Sequence, residues 1–519
     1  MNTHDAIEIT TCDYAAQDAK VFAFVLRNIL YVRNFEWPIR ELAKAGHRVV
    51  VLIGDREETS RDAEQQINLL QHDLGDRLSI QSINTDEEYQ RRLMLDIQSS
   101  RDILFYSGDH YKQAQFARER IVAKSTPFAR FLFSRAFFRS EKAASRAKRW
   151  LKALYEAVPA EASIIRRLQA ISPDVLVISP LIDIRTRQLY WVKAAKHLGI
   201  RSVLAVASWD NLTNKSLIQD MPDKIFVWNN IQKEEAVRLH GAVPETITVT
   251  GAQLYDHWFD RSPSLSYDEF CAQFSFEPAA ILLLYTGSSA SIAKNEASFV
   301  TEWLQSLRAC PDARIRNANI LIRPHPLNQA GLAAADFSRF GKVAVYPKNG
   351  GFPVTKIAQN EYYDALYHCE AIVGINTSAI VEAAILNRQS FTITTPEFQN
   401  TQQGTLHYHH LTRGGILHES QSFADHIKDL TSLFEQQLEK SQAVTQFVTE
   451  FLRPHGRDQP ATAVFVEELV KISHSPARKG YNRALCTSLF LKLSVPVLSA
   501  ICDWVYGNRK RFAAGKKDT

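Results

Sequence analysis

The tetrapeptide RPHP at residues 323–326 directly follows an apolar run that is typical of a buried strand. Ligands of open α/β sheets lie beyond the carboxyl ends of the strands, so Arg323 and His325 would point to where a nucleotide phosphate lies. Both side chains can donate hydrogen bonds to phosphate oxygens, and the prolines fix the loop backbone. The alternative is a rigid turn with exposed basic residues.

A second candidate is GINTSAIVEAAI at residues 374–385, where a strand end runs into a helix. Asn376, Thr377 and Ser378 are good N-cap residues, and free amides at a helix start would bind an anion. Because Ile and Val occupy positions 380 and 381, Glu382 is not a capping-box partner of Thr377 or Ser378. We expect Glu382 to accept hydrogen bonds from ribose hydroxyls; the alternative is a surface glutamate beside an ordinary capped helix.

A third candidate is the loop YTGSSAS at residues 285–291, in which the amides and hydroxyls of Gly287, Ser288 and Ser289 would cradle a diphosphate. A flexible connection is the alternative. A fourth candidate is Asp210 in SWDNLTNK, which we expect on the opposite side of a cleft from the three loops above. It would be the general base for an acceptor hydroxyl, unless it merely forms a turn with Asn211. The next candidates for a base are Asp183, Asp256 and His257.

Several other chemistries are excluded by missing motifs. The chain has no GxGxxG fingerprint, no GK[ST] loop and no DxD pair, which argues against NAD chemistry, P-loop hydrolysis and DxD-type metal-dependent transfer. Strand spacing would place His407 and His409 on one face, but no nearby acid or cysteine completes a metal site, so we expect a polar cleft lining. We therefore expect no metal and no cofactor.

Two series of alternating strands and helices would position these residues. The first opens with VFAFVL at 21–26, a helix over 35–45 and a second strand, and the alternation returns at 164–206. The second opens with AAILLLYTG at 279–287. The pattern predicts two Rossmann-like, doubly wound α/β domains facing a cleft, with the boundaries 1–255 (helical insertion at about 101–160), 256–457, and 458–519 for a closing helix and a basic amphipathic tail.

The composition agrees with a globular protein that works in a reducing compartment. The chain has 519 residues, and its 45% hydrophobic and 23% charged residues exclude bulk disorder. The six cysteines are far apart, which suits neither a zinc knuckle nor a disulfide framework. The polar N-terminus lacks the features of a secretory signal, so we expect a cytoplasmic protein.

Basic residues are concentrated in two segments. Residues 101–153 contain 13 Lys and Arg against 4 Asp and Glu, and residues 478–519 contain 9 against 2, whereas the whole chain carries only +5. Both segments also carry aromatic or apolar residues, which predicts binding to an anionic membrane surface without spanning it. Nucleic acid is the competing anion, but the acidic remainder argues against it.

Four stretches resemble bacterial glycosyltransferases of the GT-B fold: FEWPIRELAKAGHRVVVL (35–52), VTGAQLYDHWF (249–259), RPHP and NTSAIVEA. The HP pair followed by a Ser/Thr helix start is similar to surface-polysaccharide (capsule or lipopolysaccharide) transferases, among them sialyltransferases, Kdo transferases and CDP-glycerol polymerases. The first loop, RNILYVRN, lacks the glycines that many members carry.

The resemblance implies transfer of a sugar, or a related group, from a nucleotide-sugar donor to a surface glycan or lipid-linked acceptor. The N-terminal domain would hold the acceptor and the C-terminal domain the donor, on the inner face of the cytoplasmic membrane. Arg323, His325 and the helix start at Ser378 would stabilise the departing phosphate in place of a metal. The alternatives are an epimerase of the UDP-N-acetylglucosamine 2-epimerase type and a non-catalytic membrane-associated subunit.

Overall fold

The computed structural model describes residues 18–54, 61–83, 88–133, 140–348, 350–436, 442–476 and 478–480. Within them, seven strands form a first sheet: β1 (Val21–Leu26), β2 (Arg48–Ile53), β3 (Leu78–Ser82), β4 (Val175–Ser179), β5 (Arg201–Ala205), β6 (Lys224–Val227) and β7 (Ile247–Val249). All neighbouring strands are parallel, in the order β3-β2-β1-β4-β5-β6-β7. The order reverses beside β1, which is typical of a doubly wound sheet.

A second parallel sheet has six strands in the described residues: β8 (Leu282–Thr286), β9 (Asn319–Arg323), β10 (Val343–Val345), β11 (Ala371–Val373), β12 (Gln389–Ile393) and β13 (His418–Ser420). Its order is β10-β9-β8-β11-β12-β13, so it repeats the winding of the first sheet. Two doubly wound α/β sheets in tandem confirm the fold that the sequence predicts.

The helices that cross between the strands of the first sheet, or extend from it, are α1 (Glu36–Lys44), α2 (Arg61–Leu74), α3 (Glu88–Tyr106), α4 (Gln115–Lys124), α5 (Pro127–Phe133), α6 (Glu141–Ala157), α7 (Ala162–Ile171), α8 (Leu189–Leu198), α9 (Asn211–Asn214) and α10 (Asn230–His240). Those that follow are α11 (Asp256–Phe259), α12 (Tyr267–Phe274), α13 (Glu296–Arg308), α14 (Ala313–Arg316), α15 (Ala330–Ala334), α16 (Lys356–His368), α17 (Ala379–Ile385), α18 (Tyr408–Arg413), α19 (Phe423–Gln436), α20 (Gln442–Phe447) and α21 (Ala461–Ser473).

Each sheet is covered by apolar side chains on both faces. Along β1, Phe22 and Phe24 pack into one core while Ala23 and Val25 pack into another, as alternation along a strand requires. The strands of the second sheet divide in the same way. Burial on both faces explains why the central strands read as continuous apolar runs in the sequence.

The helical insertion lies between β3 and β4 and comprises α3 to α6, which share a core of their own around Tyr106, Tyr111 and Ile121. Its first helix begins at Glu88, earlier than the charge pattern suggests. The reason is that α3 also buries Leu93 against the first sheet, in a stretch whose charges cancel and which an excess of basic residues therefore does not mark. The insertion phenylalanines Phe137 and Phe138 lie outside the described residues.

The chain crosses back to the first sheet at its end. Helix α21 packs Phe465 against Phe35 and Phe226, with ring centroids 6.2 Å and 5.2 Å apart. The two crossing segments are α11, between the first and second sheets, and the stretch from Arg453 to the start of α21. Where they meet, the buried Asp256 carboxylate of α11 accepts hydrogen bonds from the Arg453 guanidinium (Nη2–Oδ1, 2.9 Å) and from two amides at the start of α21. One ion pair therefore joins the two crossing segments.

The sequence does not predict strands β3 and β13, because both are edge strands whose sequences, LSIQS and HES, are partly or wholly polar. The apolar tail segment at 484–506 that we expect to lie at a membrane surface falls outside the described residues. Among the helices that the structure describes, none combines the length and the apolar character needed to span a bilayer.

Candidate functional site

A cleft of about 640 Å³ lies between the carboxyl ends of the two sheets. It brings together nearly all of the residues that the sequence singles out. Those lining it are Asp210, Gly287, Ser289, Arg323, His325, Asn376, Thr377, Ser378 and Glu382. Ser288 does not line the cleft, since its side chain is fully buried behind the loop.

Arg323 ends strand β9 and lies at the wall of the cleft with only 9% of its surface exposed. Its guanidinium carbon lies 5.0 Å from the centre of the Tyr362 ring, which holds it in a cation–π contact. Burial lowers its pKa, but an arginine keeps its charge in proteins. Nη1 is buried and has no hydrogen-bond partner in the described part of the chain, so it is a charged donor suited to an anion.

His325 is half-buried two residues further along the same loop. Burial, reinforced by the charge of Arg33, lowers its pKa to about 4, so the ring is neutral at pH 7. The amide of Leu327 donates to Nδ1 at 3.0 Å, which leaves the proton on Nε2. The imidazole can therefore donate a hydrogen bond from Nε2 without carrying a charge.

Gly287 brings the Gly/Ser loop against the RPHP loop. Its amide donates to the carbonyl of Arg323 at 2.8 Å, and a Cβ at this position would lie 2.7 Å from the amide nitrogen of His325. No larger residue fits without moving a backbone, so the two phosphate-loop candidates meet here because residue 287 is glycine.

The rest of the Gly/Ser loop is held from behind by a buried carboxyl. Glu296 Oε1 accepts hydrogen bonds from the Ser288 amide at 2.8 Å and from the Tyr285 hydroxyl at 3.1 Å. The amide of Asn376 contacts Ser288 Oγ at 3.4 Å, and Asn376 Nδ2 donates to the Thr401 carbonyl at 2.8 Å. Ser288 and Asn376 thus position loops, whereas Ser289 reaches the cleft.

The start of helix α17 differs from the free anion site that the sequence suggests. The amides of residues 379–382 already donate to oxygens of Thr377 and Ser378 at 3.0–3.4 Å. The side chain of Ser378 instead spans the cleft, because its Oγ accepts a hydrogen bond from Trp209 Nε1 at 3.2 Å. Ser378 therefore links the two walls and leaves Arg323 and His325 as the principal donors.

Glu382 faces the same part of the cleft. The Tyr362 hydroxyl donates to its carboxyl group, and Arg33 and Arg323 lie close enough to interact with it. Burial outweighs these contacts and raises its pKa to about 7. Its place beside Arg323, with one oxygen held by Tyr362, suits contact with a polar group next to the phosphate rather than with the phosphate itself.

Asp210 lies on the opposite wall, in the loop after β5. The Ser208 hydroxyl donates to Oδ1 at 2.6 Å. Burial tends to raise its pKa, but the charges of Lys215, His407 and Arg120 and the Ser208 bond outweigh it and lower the pKa to about 2. Asp210 is therefore ionised throughout the physiological range.

The three other candidates for a base have different surroundings. Asp183 is paired with Arg27, and Asp256 is paired with Arg453 and caps α21, so both already serve structural contacts. His257 does line the cleft, stacked on Trp37 at 6.5 Å between ring centroids, and burial lowers its pKa to about 4.

We expected the histidine pair to lie on a strand. It lies at the start of helix α18 instead, so His407 and His409 do not share a face. His407 lines the cleft and packs edge-on against Trp209, with ring centroids 4.9 Å apart. In the described part of the chain, no three His, Cys, Asp or Glu side chains are grouped so that they could hold a metal ion.

The cleft also contains residues that the sequence does not reveal. Arg33 comes from the first loop and Arg120 from the insertion helix α4, and both line the cleft. Trp37 and Tyr362 add aromatic ring surface to the wall. The only signal in the sequence is that these residues are arginines and aromatic residues. No sequence spacing predicts that an insertion helix contacts a loop far away along the chain.

Comparisons with known proteins report on the fold. No family model matches the chain, and no curated protein matches it. A solved structure provisionally assigned as UDP-N-acetylglucosamine 2-epimerase from Listeria monocytogenes is similar, with a TM-score of 0.52, 11% identity, and 89% of this chain and 100% of that chain covered. The UDP-GlcNAc 2-epimerase from Neisseria meningitidis bound to UDP-GlcNAc has a TM-score of 0.51 and 11% identity, covering 87% of this chain and 100% of that one.

At this level of identity the likeness concerns the fold alone. The chain has the GT-B arrangement of two Rossmann-like sheets that face a cleft, as these structures do.

Proposed function

We propose that the protein transfers a sugar, or a related group, from a nucleotide-activated donor to an acceptor hydroxyl. The observation that carries this proposal is the buried Arg323 guanidinium at the carboxyl end of β9, whose Nη1 lacks a partner in the described part of the chain. A buried cation with an unused donor is stabilised by an anion, and the phosphate of a nucleotide is the anion that a doubly wound sheet commonly binds there.

The donor would lie against the second sheet. Arg323 and the Nε2–H group of His325 would donate to its phosphate oxygens, and the backbone at Gly287 lies beside them. Glu382 would accept from a ribose hydroxyl. The donors are already placed where negative charge develops as the nucleotide leaves, which is the arrangement that lowers a barrier electrostatically.

The acceptor would lie against the first sheet, beside Asp210. In an inverting reaction the acceptor hydroxyl oxygen bonds to the anomeric carbon, the bond from that carbon to the phosphate oxygen breaks, and the nucleotide leaves. The hydroxyl proton passes to the Asp210 carboxylate. With a pKa of about 2 this carboxylate is a weak base, so it accepts the proton only as the new bond forms and makes the hydroxyl acidic.

A nucleotide screen tests the proposal. We expect one of CMP, CDP, UDP and GDP to raise the unfolding temperature of the wild-type protein, and that nucleotide names the donor class. Binding should be weakened when Arg323 is replaced by Gln. Failure of all four nucleotides to bind by calorimetry would contradict the proposal and would favour a non-catalytic subunit with the same fold.

A second candidate is epimerisation of a nucleotide sugar. It would require more than one carboxylate in the cleft, and Asp210, Glu382 and Glu36 all line it. The carboxyl groups of Asp210 and Glu382 have pKa values of about 2 and about 7, so they differ in protonation near neutral pH. Incubation with a nucleotide sugar and no acceptor distinguishes the candidates, because only an epimerase would produce an isomeric sugar.

We further propose that the protein works at an anionic membrane surface in the cytoplasm, with a lipid-linked or surface glycan as acceptor. Helix α6 exposes Lys142, Arg146 and Arg149 at spacings of four and three residues, and Trp150 lies four residues after Arg146, which places all of them on one face. Phe131 of α5 is 67% exposed. Cations near an anionic surface contribute about 1 kcal/mol each, and the aromatic rings suit the interface.

Vesicle flotation tests the membrane proposal. Binding should require anionic lipid, weaken with salt, and fall in the Arg146→Glu/Arg149→Glu variant and on deletion of residues 481–519. The matched control is Arg48→Glu/Arg339→Glu, which changes the same charge away from α6. Equal flotation of both double variants, or none of the wild type, would refute this surface.

A further inference from the structure

A group of basic residues lies at the carboxyl edge of the first sheet. Arg27 directly follows β1, Arg185 lies in the loop after β4, and Lys215 lies in the loop after β5. Because β1, β4 and β5 are neighbours in the sheet, their carboxyl-terminal loops are neighbours as well. Three adjacent loops therefore each bring one cation to the carboxyl edge of the first sheet, and Lys215 among them lines the cleft.

The insertion adds two more cations through helix α4. Arg120 lines the cleft, and its Nη2 donates to Oδ1 of Asn214 at 2.9 Å and to the Asn214 carbonyl, which fixes it beside Lys215. Its Nε is buried without a partner in the described residues. Lys124 lies one turn further along α4. Partial burial and then the charges of neighbouring cations lower its pKa, and these neighbours are Arg120, Lys215, Arg27 and Arg185.

This group, the basic cluster Arg27, Arg120, Lys124, Arg185 and Lys215, has more positive charge than its surroundings neutralise. Arg27 is paired with Asp183, and Asp210 interacts with Lys215 and Arg120. Five cations beside two carboxylates leave an excess of three positive charges. Like charges brought together on separate loops repel one another, so the arrangement is stabilised by a multiply charged anion.

We propose that the basic cluster binds a phosphate group carried by the acceptor. A phosphate dianion presents oxygens in several directions, which suits cations that approach from three loops and a helix, whereas a carboxylate is planar and carries one charge. The inference rests on the proposed function, since it assigns the cluster to the acceptor of that reaction. It gives the insertion a role that its sequence alone does not suggest.

Phosphate binding would also act on the proposed base. The groups that face Asp210 across the packed elements are Lys215, Arg120, His407, Ser208, Tyr31, Tyr106 and Tyr255. The two cations among them belong to the basic cluster. An anion bound there would offset their field and raise the pKa of Asp210, so binding of the correct acceptor would strengthen the base.

The test is a titration with inorganic phosphate, followed by ³¹P NMR, of protein saturated with the nucleotide that binds the donor side. The Lys124→Gln/Arg185→Gln variant removes two cluster cations that do not line the cleft. The control, Arg48→Gln/Lys224→Gln, removes the same charges at the amino edge of the same sheet, where β2 and β6 begin. A loss of phosphate binding in Arg323→Gln would show that phosphate binds on the donor side instead. A titration with acetate tests whether the cluster prefers a carboxylate.

We expect the cluster variant to bind phosphate at least about tenfold more weakly, given the strength of a charge-assisted hydrogen bond, and the control to match the wild type. Equal phosphate affinity in the cluster variant and the control would overturn the inference, as would stronger binding of acetate or loss of phosphate binding only in Arg323→Gln. Nucleotide affinity is measured on the same samples. If no nucleotide binds, the proposed function fails, and the phosphate titration is made on the nucleotide-free protein, where it still compares the cluster variant with its control.

Discussion

Replacing Arg323 by Gln separates binding from stability at the candidate donor site. Arg323 is 9% exposed, and its buried Nη1 has no partner in the described residues. If a nucleotide phosphate takes this donor, its loss removes a charge-assisted hydrogen bond of about 1.5–3 kcal/mol. The dissociation constant should therefore rise roughly 10- to 150-fold.

The same substitution should have little effect on folding in the absence of nucleotide. It removes the cation–π contact with Tyr362, which contributes about 0.5–2 kcal/mol, but it also removes a charge whose burial is unfavourable. These two effects oppose each other, so the unfolding temperature should stay close to that of the wild type. Binding would be lost without a matching loss of stability.

Arg308→Gln is the matched control. This arginine lies outside the cleft and donates to the carbonyls of Phe340, Arg316, Ala318 and Gly341 at 2.8–3.1 Å. Its replacement should lower the unfolding temperature and leave nucleotide affinity unchanged. Calorimetric titration and thermal unfolding of both variants form the assay. Unchanged affinity in Arg323→Gln, or affinity and stability falling together in it, would refute the reasoning.

Three further predictions follow from other contacts. Asp210→Asn keeps the shape of the side chain and removes the base, so turnover should fall about 10²–10⁴-fold while nucleotide affinity changes little. Asp256→Asn leaves Arg453 as an unpaired buried cation, and the free energy of unfolding in urea should fall by about 3–5 kcal/mol. Burial raises the pKa of Glu296 from 4.5 to about 8, so its protonated form stabilises the fold fully below pH 4.5, and this contribution is lost as the pH rises through 8. Glu296→Gln should therefore flatten the dependence of the unfolding temperature on pH in that window.

Each of these predictions can fail. Near-normal turnover of Asp210→Asn would place the base elsewhere, with His257 next, or indicate a retaining reaction. A loss below about 1 kcal/mol in Asp256→Asn would show that the crossing segments do not depend on the ion pair, since such a pair normally matters more. An unchanged pH profile in Glu296→Gln would mean that this carboxyl group is not protonated in the fold.

The sequence predicts the fold well where burial shapes the pattern. The strands around β1 and β8 are buried on both faces and therefore read as short apolar runs, and Gly199 and Gly241 end helices in the left-handed conformation that favours glycine. The edge strand β3 has a half-polar pattern and is missed. The local sequence pattern reflects how deeply the side chains of a strand are buried, and the side chains of edge strands are less buried.

Only part of the site can be predicted from the sequence, namely the loops that the sheet topology brings together at the carboxyl ends of parallel strands. Arg323, His325 and Asp210 could be placed in one cleft on that rule. Ser288 has a suitable type, but Glu296 draws its amide inward and its side chain is buried. Arg120 could not be found, since only the packing of the insertion brings α4 to the cleft.

The most direct test of transfer uses a nucleotide sugar that the binding screen identifies, labelled in the sugar. It is incubated with the protein and with a membrane extract that contains glycans and lipid-linked precursors. We expect label to enter the glycan or lipid fraction together with release of free nucleotide, and both to be lost in Asp210→Asn and reduced in Arg323→Gln. Label that stays on the nucleotide, whether unchanged or as an isomeric sugar, would contradict the account.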